Sequence, residues 1–122
     1  MAQQLSALLS SDYDVRVAQD GQSLIAAVGL DMPDIVISDI AMPGISGLTA
    51  AQRILAAHPD CRLIFVSILD EPAVIRRVFA EGACGYVIKA DAGSELETAV
   101  QAVLGGGSYL SSSARAALES GR

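Results

Sequence analysis

Asp39-Ile40-Ala41-Met42-Pro43-Gly44-Ile45-Ser46-Gly47 is the stretch that decides how this chain is read. The residues before it, Ile35-Val36-Ile37-Ser38, make an apolar run closed by a serine. That is the pattern of a strand buried on both faces of a parallel sheet. Asp39 is therefore delivered at the carboxyl end of a central strand, where open α/β sheets hold their reactive groups. Met42-Pro43-Gly44 then forces a turn, because Pro fixes φ and Gly accepts backbone angles closed to other residues. Ser46 stands where it can cap the following helix. A lone aspartate at a strand end is an ordinary turn residue; the whole string points to chemistry.

On both sides of this stretch, helical and strand periods alternate along the chain. Residues 4–9 read as a short helix with Leu5, Leu8 and Leu9 on one side, and 14–18 alternate as a strand. Asp20-Gly21 is a turn, 22–30 a helix, and Pro33 prevents its continuation. After the 35–38 strand come a helix over 47–57, a strand over 63–67, a helix over 71–81 with Pro72 in its first turn, and a strand over 85–88. A helix over 93–104 stops at Gly105-Gly106-Gly107, and Ser111 or Ser112 caps a last short helix reaching Leu118. Strand–helix alternation with short connections predicts a parallel sheet with helices on both faces.

Composition narrows the function. The 122 residues suffice for one domain with one core, and 52% are hydrophobic, which excludes a disordered chain. A net charge of −6 argues against this segment gripping nucleic acid by itself. No apolar run approaches the ~20 residues of a membrane span, and the first residues lack a signal-peptide pattern. Cys61 and Cys84 have no metal-ligand spacing and are expected to be reduced, as in a cytoplasmic protein.

Three successive strands end on Asp39, Ser67 and Lys89. In a parallel sheet those ends share one rim. A carboxylate can act as a nucleophile toward a phosphoryl group. The transferred group carries negative charge that an ammonium and a hydroxyl donor stabilise. Asp39 as nucleophile, Lys89 as counter-charge and Ser67 as donor form a coherent set.

These pieces together resemble the receiver domain of bacterial two-component response regulators, in the branch that usually carries a C-terminal helix-turn-helix output domain. The resemblance rests on Pro33-Asp34-Ile35-Val36-Ile37-Ser38-Asp39, Met42-Pro43-Gly44-Ile45-Ser46-Gly47-Leu48 and Val66-Ser67. It continues through Glu81-Gly82-Ala83-Cys84-Gly85-Tyr86-Val87-Ile88-Lys89 and Gly106-Gly107-Ser108-Tyr109-Leu110-Ser111. It implies a flavodoxin-like fold, with the receiver over 1–107 and a short helix or linker over 108–122. It further implies Asp39 as phosphoacceptor, Ser67 as switch hydroxyl, Lys89 as phosphate-binding lysine and Tyr86 as the aromatic that changes rotamer on activation. The implied partners are a histidine kinase, a second copy in a homodimer, and a DNA-binding output domain outside this chain. The implied cofactor is Mg²⁺, held by Asp39 and the Ala41 backbone carbonyl together with an acidic pair.

That acidic pair is where the sequence departs from the family. Receivers open with a hydrophobic strand ending in two acidic residues, and this sequence begins within what resembles the first helix. The expected sheet therefore has four parallel strands in chain order, with the 14–18 strand paired directly to the 35–38 strand. Asp39 and Ala41 alone are a weak Mg²⁺ site. Asp70-Glu71 is the one adjacent acidic pair on the same rim, but acids in a first helical turn are ordinary stabilisers. Three origins fit: a natural start upstream of Met1, a truncation, or a degenerate receiver that serves as a phosphorylation-independent interaction module.

Other signals are set aside. Gly105-Gly106-Gly107 precedes no Lys-Ser/Thr helix start, so it is no phosphate loop. Gly44-Ile45-Ser46-Gly47 lacks the nucleophile-elbow spacing. A hydrolase would need His58 beside Ser67 or Ser46. Arg76-Arg77 reads as a solvated helix face that can also serve a dimer or output surface.

Overall fold

The structure, a computed structural model, describes residues 15–18, 34–38 and 47–120. The expected helices over 4–9 and 22–30 lie outside the described residues. One parallel sheet organises the rest: β1 (Val15–Ala18), β2 (Ile35–Ser38), β3 (Leu63–Ser67), β4 (Gly85–Ile88) and β5 (Tyr109–Leu110), side by side in chain order. The four expected strands are all present. β1 pairs directly with β2, Val15 opposite Ile35 and Ala18 opposite Ser38. Pairing satisfies backbone groups that would otherwise be orphaned, at about 1–3 kcal/mol each if buried.

The fifth strand was not anticipated, because two residues carry no period. Its position follows from how the helices stop. Helix α1 (Gly47–Ala57) leads into β3, α2 (Pro72–Ala80) into β4 and α3 (Ala92–Leu104) into β5, and α4 (Ser112–Ser120) closes the described chain. Helix α2 begins as expected, with Glu71 as its N-cap residue and Pro72 in the first turn, where a missing N–H costs nothing. It ends with Gly82 at φ +110°, where the Gly82 N–H donates to Phe79 O and the Ala83 N–H to Val78 O. Helix α3 ends the same way: Gly106 has φ +93°, and the Gly106 and Gly107 N–H groups donate to Val103 O and Ala102 O. Both are Schellman stops, which need a left-handed residue that glycine supplies without strain. Each stop is followed three residues later by a strand. The recurrence of that spacing is the signal that locates β5.

Strand alternation sorts the core into two faces. Val36, Leu63, Phe65, Tyr86 and Ile88 face α1, α2 and α4, meeting Ala50, Ile54, Ile75, Val78 and Ala114. Ile35, Ile37, Ile64, Val66 and Val87 face α3, meeting Leu96, Ala99, Val100 and Val103. Every residue of β2, β3 and β4 is buried, as the continuous apolar runs predict. Cys61 and Cys84 are both free thiols. Burial, with a smaller effect of Cys84, pushes the Cys61 thiol up to about 11, so it stays protonated and unreactive. No helix among the described residues is long and apolar enough to cross a membrane.

Candidate functional site

Parallel register brings the strand ends to one rim. Phe65 lies opposite Tyr86 and Ser67 opposite Ile88, while β2 ends at Ser38 opposite Phe65. Asp39 and Ala41, the expected phosphoacceptor and carbonyl ligand, lie outside the described residues. The last described residue before them is Ser38, 2% exposed.

Ser67 and Tyr86 meet on a single residue. The Leu69 N–H donates to Ser67 Oγ at 3.1 Å. The Tyr86 hydroxyl donates to Leu69 O at 2.6 Å. Two side chains from adjacent strands thus hold both polar groups of one backbone residue in the loop after β3. Both side chains are fully buried, on the face that also holds Phe65. A buried tyrosine keeps its hydroxyl bonded or loses the desolvation free energy of that group. A serine that accepts one bond still has its own proton to donate. Between the two, Ile68 is 70% exposed, the large hydrophobic side chain so placed among the described residues.

Lys89 is half-buried and opens a 3₁₀ turn, Lys89–Asp91, that joins β4 to α3. It stands one residue beyond Ile88, the register partner of Ser67, and so on the same rim. Asp70 and Glu71 are exposed, and Glu71 makes no side-chain cap bond. Among the described residues, no group of three or more His, Cys, Asp or Glu side chains could hold a metal ion.

The pairing of His58 with Ser67 that a hydrolase could use does not survive the topology. His58 follows the end of α1 and precedes β3, so it sits at the amino rim, with its N–H on Ile54 O. Ser67 is at the other end of the five-residue strand, roughly 13–16 Å away at a rise of ~3.3 Å per residue. Ser46 lies outside the described residues.

Sequence reading missed the bonds made by Ser111, Asp91 and Glu95, having offered Ser111 or Ser112 only as a local cap. Ser111 is fully buried, and its Oγ accepts the Ile88 N–H at 3.0 Å. The N–H groups at the start of α4 are satisfied instead by distant carboxylates, Ser112 by Glu95 and Ser113 by Asp91. Nothing in the local pattern marks such contacts. A separate groove of about 500 Å³ runs between α2, β5 and α4, lined by Ile75, Arg76, Phe79, Leu110, Arg115 and Leu118 among others. Arg76 thus belongs to a concave surface, whereas Arg77 bonds Glu81 along the helix at 3.2 Å.

Comparison with known proteins agrees with this geometry. Residues 1–101 match the family described as Response regulator receiver domain. Response regulator GacA of Pseudomonas viridiflava is 37% identical over 79 residues, covering 65% of this chain and 37% of that protein. Transcriptional activator protein ExaE of Pseudomonas putida is 36% identical, covering 79% of this chain and 45% of that protein. The chain therefore spans less than half the length of these two relatives. Among solved structures, a LuxR-family two-component response regulator from Aurantimonas sp. SI85-9A1 superposes with a TM-score of 0.85 at 21% identity, covering 90% of this chain and 97% of that one. The receiver domain of the putative regulator NarL from Mycobacterium tuberculosis gives a TM-score of 0.66 at 28% identity, covering 71% and 70% of the two chains. With Ser67 and Lys89 on one rim of a chain-ordered parallel sheet, the family match over residues 1–101 establishes that the chain belongs to the response regulator receiver domain family of two-component signal transduction.

Proposed function

We propose that Asp39 accepts a phosphoryl group from a histidine kinase and that Ser67, Tyr86 and Lys89 convert its arrival into a change of surface. A carboxylate oxygen of Asp39 attacks phosphorus. The bond between phosphorus and the kinase imidazole nitrogen breaks, its electron pair stays on that nitrogen, and the protein carries an acyl phosphate. The Lys89 ammonium offsets the added charge, and the Ser67 hydroxyl donates its proton to a phosphoryl oxygen.

The observation that carries this reading is the shared grip on Leu69. If Ser67 Oγ moves toward a phosphoryl oxygen, the Leu69 N–H loses its acceptor. The loop then shifts, and the Tyr86 hydroxyl on the Leu69 carbonyl must follow. Ile68, exposed beside that residue, moves with it. A local charge event thus biases a two-state surface. The partners of this surface are a second copy of the chain and an output domain, as suits a receiver whose relatives are longer proteins and include one named a transcriptional activator. A cytoplasmic site fits the same reading.

Receiver domains as a family bind Mg²⁺. Here the candidate donors are Asp39 and the Ala41 carbonyl. The described residues add no carboxylate cluster to them, so no step is routed through the metal.

Incubation with acetyl phosphate and Mg²⁺, followed by mass spectrometry of the intact chain, tests the proposal. The expected result is a gain of one phosphoryl group that disappears in Asp39→Ala. No gain at saturating Mg²⁺ overturns it in favour of a phosphorylation-independent interaction module.

A further inference from the structure

The segment after α3 is tied to the turn that carries Lys89 at both of that turn's ends. Ahead of Lys89, the Ile88 N–H donates to Ser111 Oγ at 3.0 Å, and the Ser111 N–H donates to Tyr86 O at 3.0 Å. Behind it, Asp91 accepts the Ser113 N–H and the Ser113 hydroxyl, each at 2.9 Å. One turn further along α3, Glu95 accepts the Ser112 N–H at 3.0 Å and the Tyr109 hydroxyl at 2.7 Å. The Ser111 carbonyl accepts the Arg115 N–H at 2.9 Å, inside the first turn of α4. The same five residues, Tyr109 to Ser113, therefore form a strand edge, cap a helix and bracket Lys89.

The physical chemistry makes this a lock. The first N–H groups of a helix have no partner within it, and carboxylates at that end also favour the helix dipole. Asp91 and Glu95 supply both to α4. Burial raises the Asp91 pKa, but bonds from Ser111 and Ser113 more than offset it, so the carboxyl sits below its ordinary range and is charged at neutral pH. Ser111, fully buried, is not free to exchange its partner for water. Opening the Ile88–Asp91 segment strips α4 of its caps, and lifting α4 strips the Ile88 N–H of its acceptor.

We propose that Ser111 is a positioning residue for Lys89 and that, with Asp91, it joins the Lys89 turn and helix α4 into one unit that opens and closes together. The consequence for signalling rests on the reading of Lys89 as the anion-binding lysine: closure of Lys89 on a phosphoryl group is felt directly by α4, by a route separate from Leu69 and Tyr86.

Amide hydrogen exchange on the full chain tests the lock without any phosphoryl transfer. In Ser111→Ala, the Ile88 and Arg115 amides are expected to exchange roughly tenfold faster together, as for one lost buried hydrogen bond, while Val36 and Phe65 in the sheet keep their rates. Asp91→Asn, at a half-exposed position where folding is not at stake, is expected to speed Ser113 and Ile88 together. Acceleration of the α4 amides with Ile88 unchanged, or of Ile88 with α4 unchanged, overturns the proposal. Phosphoryl uptake from acetyl phosphate with Mg²⁺ is the second readout. Ser111→Ala is expected to raise the half-saturating acetyl phosphate concentration roughly fivefold with little change in maximal rate; an unchanged value overturns the positioning role. A wild-type chain that takes up no phosphoryl group overturns the Asp39 reading, and the exchange rates still decide the lock.

Discussion

The two faces of the sheet are built from different material. The fully buried part of the face under α3 is aliphatic: Ile35, Ile37, Ile64, Val66 and Val87 meet Leu96, Ala99, Val100 and Val103, with Tyr109 packed only at the edge. The face under α1, α2 and α4 holds the aromatic pair Phe65 and Tyr86, and strand alternation also assigns it Ser38 and Ser67. The buried centre of one face holds packing contacts only, whereas the other carries side-chain hydrogen bonds on Leu69. In the proposed switch, the close-packed α3 face is the fixed wall against which the Leu69 contacts rearrange.

The largest effect sharpens the contrast from the inert side. Leu96 is 1% exposed, so Leu96→Ala is expected to cost about 2–5 kcal/mol in urea denaturation. It should leave the Leu69 contacts, followed by amide exchange, as they are at the same fraction folded. If Leu96→Ala also frees the Leu69 amide, the faces are not independent. On the other face, Tyr86→Phe removes only the hydroxyl on Leu69 O and is expected to cost about 1 kcal/mol. Its more telling outcome is non-additivity. Combined with Ser67→Ala, it should show a coupling of at least ~0.5 kcal/mol, because both side chains act on one residue; simple addition would mean that Leu69 does not link them.

The smallest effect is a pH dependence confined to α4. Asp91 has a depressed folded pKa, so its contribution is fully present above the unfolded carboxyl value of ~3.9 and is lost as pH falls through the folded value. Tyr109 has the opposite sign: its bond to Glu95, then burial, raises the phenol pKa. Its contribution is present below the unfolded value of ~10 and fades as pH rises through the folded one. Backbone chemical shifts of α4 should move at both extremes while those of β2 and β3 hold; concerted movement of all of them would assign the change to global unfolding.

Much of this was legible in the sequence. The runs Ile35-Val36-Ile37-Ser38 and Leu63-Ile64-Phe65-Val66-Ser67 announce buried strands with polar ends, and their spacing fixes the rim on which Ser67 and Lys89 stand. Pro72 and Gly82 bracket α2 because each has a backbone geometry that only one helix end accepts. What stayed hidden was non-local. That Ser67 and Tyr86 would share Leu69 depends on the path of a loop across two strands. That Asp91 and Glu95 would cap a helix some twenty residues away depends on where β5 docks, and two residues are too few to show a period.

Each strand of this sheet lies beside the next strand in the chain, so every described pairing closes over a single intervening segment. Such a topology lowers contact order and lets assembly proceed by accretion, one unit laid against the last. Tyr109–Leu110 and the helix after it would then be the last of the described units to be laid down, set only once β4 offers an edge. A chain still emerging from the ribosome would leave the β4 edge unpaired and the Ile88 N–H without its Ser111 acceptor until the residues through Ser113 have cleared the exit tunnel.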